Sequence, residues 1–201
     1  VADGLFAGVI PRRKKRFAYR LRMTRGSDVW EEQDAYAFGP KLGEMDEYLL
    51  GEGTHNQLWD ALGTHVCTHE GVDGTHFAVW SPNARRVSVV GDFNGWDPSS
   101  NPMFPTGSGI WKTHVPAVHQ GNTYKYRIIT QSGDHLDKAD PVAFLAEVPP
   151  KTASVVWNLE YEWNDEAWMS TRGVRQAHDA PIAIYELHSG SWQRAENGDS
   201  Y

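Results

Sequence analysis

The sequence has a single cysteine, Cys67, among 201 residues, so an internal disulfide framework is excluded. It contains no run of about 18 apolar residues, and such a run would be needed for a transmembrane helix. A basic-then-apolar segment ending in a small-residue cleavage site is also missing. We therefore expect no secretory signal, no membrane partner and a cytoplasmic location.

Motifs for metals and nucleotides are missing as well. The nine histidines include no HExxH pair, and Cys67-Thr68-His69 offers too few ligands for a metal site. Gly51-x-Gly53 lacks the third glycine of a dinucleotide-binding loop, and no Walker sequence is present. We therefore predict neither a metal site nor a cofactor.

Charge is distributed unevenly along the chain. Eight of the 19 basic residues lie at positions 12–25, whereas the formal net charge of the whole chain is -7. The run at 12–16 could bind nucleic acid or act as a targeting signal. A solvated hairpin turn is the simpler interpretation, because alternating apolar residues follow the run as they do in a strand. Since nucleic-acid-binding domains are usually basic, we expect no nucleic-acid partner.

The first 64 residues predict a hairpin, a loop and two helical segments. Strands at Leu5–Ile10 and Phe17–Met23 would enclose the basic turn, and such a hairpin needs a larger sheet to be stable. Residues 27–40 are acidic and predicted to form a loop. A short helix is predicted at Glu44–Leu50 and a second helical turn at Leu58–Leu62, each ended by glycine.

From residue 65 to 158 the pattern changes to strands. Turn signals recur about every 11–14 residues, a spacing typical of an all-β sandwich. The strands predicted between these turns are Thr75–Trp80, Arg86–Val90, Ile110–Val115, Thr123–Thr130 and Ser154–Trp157. In one of them, Tyr124, Tyr126 and Ile128 alternate with polar neighbours, which places these three side chains on one face.

The last 43 residues predict a connector followed by a new strand. Residues 159–180 are polar, with scattered tryptophans and weak patterning. The segment Pro181–His188 is mostly apolar, as expected of a strand buried on both faces, but the sequence offers it no partner. We therefore expect one complete domain flanked by pieces of two others.

Several motifs together resemble a known family. The stretch Phe77–Val87, followed by the sequence Gly-Asp-Phe-Asn-Gly-Trp at 91–96, is similar to the sandwich of carbohydrate-binding module family 48. Two further stretches, Tyr48–Thr54 and Ile184–Trp192, narrow the resemblance to the bacterial 1,4-alpha-glucan (glycogen) branching enzymes. Phe6–Arg13 resembles the end of the additional N-terminal sandwich of longer members. The matches occur in order over nearly the whole chain, so the combination is more specific than any one motif.

The resemblance implies an all-β fold, with an immunoglobulin-like β-sandwich, part of a preceding β-sandwich and the first strand of a (β/α)8 barrel. The implied domains are residues 1–40 (end of the N-terminal sandwich), 41–64 (helical linker), 65–158 (carbohydrate-binding module), 159–180 (connector) and 181–201 (start of the α-amylase-type catalytic barrel).

The resemblance also implies a retaining transglycosylation that forms alpha-1,6 branches in glycogen. One carboxylate attacks an alpha-1,4 link, a second carboxyl protonates the leaving oxygen, and a glucan 6-hydroxyl then takes the place of water. The family's catalytic carboxylates lie on later barrel strands. We therefore predict no catalytic residue in this chain and no activity for it alone. Its expected role is to bind or orient alpha-1,4-glucan and to support the catalytic barrel.

Trp96 is the first candidate for glucan contact, because sugar rings dock on flat aromatic side chains and its neighbours predict an exposed turn. The resemblance adds Lys125, whose ammonium group would reach sugar hydroxyls, and Asn94 as a further hydrogen-bonding group. Glycogen-sensing relatives carry a second tryptophan where this chain has residues 132–135, so half of the stacking platform is missing. The alternative is that Trp96 packs on the sandwich edge or against the barrel.

Two residues near the end of the presumed barrel strand, Tyr185 and His188, are candidates for the neighbourhood of the active site. Alternatively, Tyr185 packs inside the barrel and His188 makes a buried hydrogen bond. For Trp80, Trp111 and Trp157, which lie in strand patterns, we expect core or interdomain packing.

Three other functions remain open. The chain could be a stand-alone or regulatory glycogen-binding module, part of a debranching or trehalose-forming enzyme, or a nucleic-acid-binding protein that uses residues 12–16. The motif at 185–192 favours a branching enzyme, although trehalose-forming hydrolases share parts of it.

Overall fold

The computed structural model describes residues 8–12, 17, 19–39, 41–196 and 198. The chain divides into two compact units, Val1–Leu159 and Glu160–Tyr201, and each is described by itself.

The first unit contains eleven β-strands and two α-helices among its described residues. The strands are β1 (Leu21–Arg25), β2 (Asp28–Glu32), β3 (Gly63–His69), β4 (Val72–Trp80), β5 (Ala84–Gly91), β6 (Phe104–Pro105), β7 (Ile110–Pro116), β8 (Thr123–Thr130), β9 (His135–Lys138), β10 (Leu145–Ala146) and β11 (Ser154–Val155). The helices are α1 (Glu44–Glu52) and α2 (Leu58–Ala61).

Two antiparallel sheets form a sandwich. One has four strands in the order β3-β4-β7-β6, and the other has the order β10-β11-β8-β5 with β9 also paired to β8. Alternate side chains of both sheets meet in one core, which includes Phe77 and Val79 from β4, Val89 from β5, and Tyr124 and Tyr126 from β8. The predicted immunoglobulin-like β-sandwich is therefore confirmed, as is the prediction that Tyr124, Tyr126 and Ile128 share one face, which packs in the core.

The outer face of the four-stranded sheet has a second apolar cluster. Ala78 on β4 and Ile110 on β7 point away from the main core, because their strand neighbours point into it. They pack against Leu42, Ala61 and Leu62. The helical segment therefore lies on the sandwich and covers one of its faces.

Helix α1 has the predicted start and extends two residues further than predicted. Its first turn carries Glu44, Asp46 and Glu47, whose negative charges stabilise the positive end of the helix dipole. The helix ends at Gly53, whose φ of 73° is left-handed and accessible to glycine without strain.

The hairpin near the N-terminus is not where the sequence pattern placed it. Strand β1 begins at Leu21 and pairs with β2 around a turn that contains Gly26, whose φ is 61°. The predictions of a strand starting at Phe17 and of a loop over 27–40 are therefore wrong. Strand β2 was missed because most of its side chains are acidic or exposed. Residues 5–7 of the predicted first strand and the basic residues 13–16 lie outside the described part of the chain.

The second unit has three short helices among its described residues: α3 (Glu166–Met169), α4 (Arg172–Arg175) and α5 (Ser189–Trp192). The predicted strand Pro181–His188 is wrong for this structure, because none of its residues lies in a strand. Strand geometry is stabilised by hydrogen bonds to a neighbouring strand, and no strand of the described residues pairs with this segment. Its apolar side chains are correspondingly exposed, with Ile182 at 84% and Ile184 at 85%.

The tryptophans in strand patterns separate into two groups. Trp111 is buried in the core, as predicted, and its indole nitrogen donates to the Ser81 carbonyl oxygen at 2.9 Å. Trp80 and Trp157 are exposed, so a core position is wrong for them, and interdomain packing stays a prediction. No helix among the described residues is long and apolar enough to cross a membrane.

Candidate functional site

The turn that presents Trp96 follows directly after strand β5. Residues Asp92–Asn94 form one turn of 3-10 helix, and Gly95 and Trp96 both have a φ of 61°. The Trp96 backbone N–H donates to the Gly91 carbonyl oxygen at 2.9 Å and closes the turn. Trp96 is 41% exposed, so part of the residue is accessible to a ligand.

The left-handed backbone of Trp96 is unusual for a residue with a side chain. This conformation costs about 1–3 kcal/mol for residues other than glycine, and it persists only where the surroundings enforce it. Asparagine or glycine would adopt the same backbone at lower cost. A strained tryptophan in an exposed turn is therefore consistent with a role for its ring at the surface.

The side chain of Asn94 stabilises this turn from within. Its Oδ1 accepts from the Gly91 N–H at 2.9 Å, and its Nδ2 donates to the Val89 carbonyl at 3.0 Å and to Asn101 Oδ1 at 2.7 Å. All these contacts are to other protein groups. The structure thus gives Asn94 a positioning role, and the predicted direct contact with glucan finds no support in its geometry.

A second side chain that holds the turn, the carboxylate of Asp92, was not anticipated from the sequence. Asp92 Oδ1 accepts from Asn122 Nδ2, and its Oδ2 accepts from the Thr123 N–H, both at 3.0 Å. These bonds tie the turn to the start of β8. The signal in the sequence was an aspartate directly after a strand, a position that favours capping of nearby backbone groups.

Strand pairing brings Lys125 close to this turn in the fold. Lys125 on β8 pairs with Val90 on β5, the residue before Gly91, to which the Trp96 N–H is bonded. The Lys125 ammonium group donates to Thr152 Oγ1 at 2.7 Å. Because an ammonium group has three donors, this bond leaves others for a ligand hydroxyl.

The same sheet also carries an ion pair close to Lys125. Arg127 lies two positions after Lys125, and its guanidinium contacts the Asp137 carboxylate on β9, with Nη2 and Oδ2 2.8 Å apart. The hydrogen bond from Arg127 lowers the pKa of Asp137. The Ser99 N–H, followed by the hydroxyl groups of Ser99 and Ser100, donates to the Asp97 carboxylate and lowers its pKa.

The other two candidates lie in the second unit. Tyr185 is 74% exposed, and His188 Nδ1 is 2.9 Å from Ser191 Oγ in the short helix α5. Neither residue lies in a strand, so the structure does not bring them into a barrel-like arrangement. Their predicted place near an active site stays a prediction.

A buried polar cluster that the sequence did not reveal lies inside the sandwich. Asp140 Oδ2 accepts from the hydroxyl groups of Tyr124 at 2.7 Å and Tyr126 at 3.0 Å, while Oδ1 accepts from the Val142 N–H at 2.8 Å. Burial raises the pKa of Asp140 and of both tyrosines. Because these groups are hydrogen-bonded to each other, the cluster stabilises the fold by joining strand β8 to the loop at Asp140.

No group of three or more His, Cys, Asp or Glu in the described ranges is arranged to hold a metal ion. The functional geometry of the sandwich is thus an exposed aromatic ring on a braced turn, with an ammonium group on the neighbouring strand. Such an arrangement suits the binding of a neutral hydroxylated ligand.

Comparison with known proteins gives the class of this sandwich. Residues 61–143 match the family described as carbohydrate-binding module 48 (isoamylase N-terminal domain). Among solved structures, the putative alpha amylase from Salmonella typhimurium aligns with 54% of this chain and 17% of its own, at 20% identity and a TM-score of 0.42.

Curated relatives extend the match to nearly the whole chain. The 1,4-alpha-glucan branching enzyme GlgB of Roseobacter denitrificans is 55% identical, over 98% of this chain and 27% of that enzyme. GlgB of Cereibacter sphaeroides is 52% identical, over 99% of this chain and 28% of that enzyme. The chain is therefore similar over nearly its whole length to 1,4-alpha-glucan branching enzymes, which confirms the resemblance, and it spans about a quarter of the length of these relatives.

Proposed function

We propose that this chain is the glucan-binding part of a 1,4-alpha-glucan branching enzyme that acts on glycogen in the cytoplasm. The observation that carries the proposal is the 55% identity to a named branching enzyme over 98% of the chain. The match of residues 61–143 to a carbohydrate-binding module supports glucan binding by the sandwich.

The proposed reaction of the whole protein is a retaining transglycosylation. Retaining enzymes hold a nucleophilic carboxylate and an acid carboxyl about 5–5.5 Å apart on either side of the glycosidic bond. A branching enzyme would attack the glycosyl-enzyme with a glucan 6-hydroxyl, which yields an alpha-1,6 link. Since the chain spans about a quarter of its relatives, we assign this carboxylate pair to the remainder of the protein.

The proposed glucan contact is the turn at Trp96. A sugar ring would place its C–H face on the indole of Trp96, and the ammonium group of Lys125 would donate hydrogen bonds to the hydroxyl groups of the sugar. Asn94 and Asp92 hold the turn in place, so the ring is positioned before the ligand arrives. Preorganisation of this kind lowers the entropy lost on binding.

We further propose that residues 181–188 become a strand in the complete enzyme, as the first strand of its barrel. The exposure of Ile182, Ile184 and Tyr185 supports this proposal, because contiguous exposed apolar side chains mark interaction surfaces. Tyr185 and His188 would then lie at the strand end that carries the active site in such barrels.

The glucan contact is tested by affinity electrophoresis in gels that contain glycogen. We expect the wild-type chain to be retarded and Trp96→Ala to bind about 2- to 10-fold more weakly, since one aromatic contact contributes about 0.5–1.5 kcal/mol. Trp163→Ala, at another exposed tryptophan, is the matched control and should behave as wild type. Equal retardation of Trp96→Ala and wild type would remove Trp96 from the site.

The assignment of the catalytic carboxylates is tested with amylose and an iodine-binding assay. The 201-residue chain is expected to leave the iodine absorption of amylose unchanged, whereas the full-length enzyme lowers it as branches form. Branching by the 201-residue chain alone would refute the assignment.

A further inference from the structure

A groove lies at the edge of the sandwich where residues 98–105 pass from one sheet to the other. The Met103 N–H donates to the Val87 carbonyl oxygen of β5 at 2.9 Å, and the next two residues form β6, which pairs with β7 in the other sheet. The groove has a volume of about 660 Å³, within the range of about 300–1,000 Å³ that is usual for ligand sites. The crossing segment therefore forms a recess of the size that binds a ligand.

One wall of the groove is the segment that follows the Trp96 turn. Pro98 and Ser99, two and three positions after Trp96, both line the groove and are exposed. The Ser99 hydroxyl donates to Asp97 Oδ2 at 2.7 Å, so its own lone pairs stay available as acceptors. A ligand in the groove would therefore lie beside the turn that presents Trp96.

The groove also contains an aromatic pair from outside the Trp96 turn. The rings of Tyr36 and Phe104 both line it, and their centroids are 4.7 Å apart. Tyr36 is 70% exposed, while its backbone N–H donates to Asp34 Oδ1 at 2.9 Å. An aromatic ring that is open to solvent and packed on a second ring beside a groove offers a surface on which the C–H face of a sugar can stack.

The polar groups that line the groove are guanidinium and hydroxyl groups. Arg86 on β5 is exposed and points away from the core, because its neighbour Val87 points into it. Its guanidinium has five N–H donors and makes no ion pair among the described residues. Arg127, by contrast, is paired with Asp137. Among the described residues that line the groove, none is an aspartate or glutamate, so Arg86 has donors for a ligand.

An alpha-1,4-glucan chain has the chemistry that these groups require. Each glucosyl unit combines an apolar C–H face with hydroxyl groups that both donate and accept. An inorganic anion would pair with Arg86 but would leave the aromatic pair of Tyr36 and Phe104 without a contact. Since one wall of the groove follows Trp96, a ligand that contacts both Trp96 and Tyr36 must be longer than one ring.

We propose that the groove binds several glucosyl units of an alpha-1,4-glucan chain that continues from the contact at Trp96. Tyr36 is the second stacking surface of this extended site, and Arg86 donates hydrogen bonds to sugar hydroxyl groups. The choice of glucan among hydroxylated ligands rests on the proposed function.

The test is isothermal titration calorimetry of the 201-residue chain with maltose, maltotriose and maltohexaose. We expect maltohexaose to bind about tenfold more tightly than maltose, because only the longer chain can contact Trp96 and the groove at once. Equal affinity for maltose and maltohexaose would overturn the proposal. Competition of inorganic phosphate with maltohexaose, at matched ionic strength, would assign the groove to an anion and would overturn it as well.

Substitutions of Tyr36 test the stacking surface. Tyr36→Ala should weaken maltohexaose binding about 2- to 10-fold and leave maltose binding unchanged, whereas Tyr36→Phe keeps the ring and the wild-type affinity. The matched control is Tyr161→Ala, because Tyr161 is 71% exposed and packs on the ring of Trp163 with centroids 4.8 Å apart. Wild-type affinity for maltohexaose in Tyr36→Ala would overturn the proposal.

Substitutions on β5 test the donor. Arg86→Ala should weaken maltohexaose binding about 2- to 10-fold through the loss of hydrogen bonds. Arg85→Ala is the control, since Arg85 is the exposed neighbour and does not line this groove. Equal maltohexaose affinity in Arg86→Ala and Arg85→Ala would overturn the assignment of Arg86.

Trp96→Ala separates this inference from the proposed function. If Trp96→Ala weakens the binding of both sugars and Tyr36→Ala changes neither, the groove fails while the glucan contact at Trp96 stands. If Tyr36→Ala weakens maltohexaose binding and Trp96→Ala changes neither sugar, the groove stands as a glucan site and the Trp96 contact fails. If the wild-type chain does not bind maltohexaose, both fail.

Discussion

The outer faces of the two sheets differ in their exposure to solvent. The covered face, which is the outer face of β3-β4-β7-β6, lies under residues 41–62 and buries His76 and His114. The open face, which is the outer face of β5 and β8, carries Lys125 and Arg127 in partly exposed positions. Both faces come from strands with the same alternation of side chains.

The difference shows that alternation alone does not decide the environment of the outward side chains. On the open face, the ionic partner of Arg127 is Asp137 from the next strand, and solvent reaches both. On the covered face, the helical segment removes water, so the histidines lose their charge near neutral pH. The covering segment, and not the strand pattern, therefore sets the electrostatics.

The largest expected effect is acid destabilisation by the covered face. Because His76 and His114 bind protons near pH 6.5 when unfolded but only near pH 3 and pH 4 when folded, stability should fall as the pH drops below 6.5. Each histidine contributes a slope of about 1.4 kcal/mol per pH unit within that window. Urea unfolding at pH 7, 6 and 5 measures it.

The control for this prediction is His135→Gln at an exposed position on β9, which should keep the wild-type slope. His76→Gln should reduce the dependence of the unfolding free energy on pH by about 1.4 kcal/mol per pH unit, the contribution of one proton. Asp140 has a raised pKa and acts with the opposite sign, but it is present in all three proteins and cancels in the comparison. An unchanged slope in His76→Gln would show that this imidazole does not titrate abnormally.

The second prediction concerns the turn beside the open face. Asn94→Ala removes three hydrogen bonds inside the turn and should lower the free energy of unfolding by about 2 kcal/mol. Retardation in glycogen gels should weaken as well, because Trp96 is no longer held. Asn56→Ala, at an exposed asparagine, is the matched control. Wild-type stability in Asn94→Ala would assign the positioning role elsewhere.

The sequence predicted the sandwich well, because its strands combine alternation with regular turn signals. The shared face of Tyr124 and Tyr126 and the helix starting at Glu44 followed from local pattern alone. The hairpin at Leu21–Glu32 did not, because charged and exposed residues hide its strands. The segment 181–188 shows the opposite error, since an apolar strand pattern forms no strand here without a neighbour.

The candidate site was predicted in part. The position of Trp96 in an exposed turn followed from its neighbours, but its left-handed backbone required the structure. The bonds that Asn94 makes inside the turn were not foreseen, because a motif does not show which groups a side chain contacts, and its contact with glucan stays a prediction. The burial of His76 and His114 was missed entirely, since it depends on strand register and on a covering segment distant in sequence.

The third prediction compares one ion pair from each face by double-mutant cycles. Lys112 and Glu47 join the covered face to α1 and are largely buried, whereas Arg127 and Asp137 lie on the open face. Both pairs should couple by about 1 kcal/mol at low salt. In 1 M NaCl, the Arg127–Asp137 coupling should fall by at least half, because exposed charges are screened. Equal salt sensitivity of the two pairs would contradict the contrast between the faces.

The smallest expected change in stability belongs to Trp96→Gly. Glycine relieves the left-handed strain of about 1–2 kcal/mol but gains unfolded-state entropy that costs about 0.5–1 kcal/mol. Together with the loss of partly buried ring surface, the net change should stay within about 1 kcal/mol. Glycogen retention should nevertheless fall as in Trp96→Ala, which would separate binding from stability at one residue. A large loss of stability in Trp96→Gly would instead show that the indole packs on the sandwich as a structural element, and would leave the open face without its stacking surface.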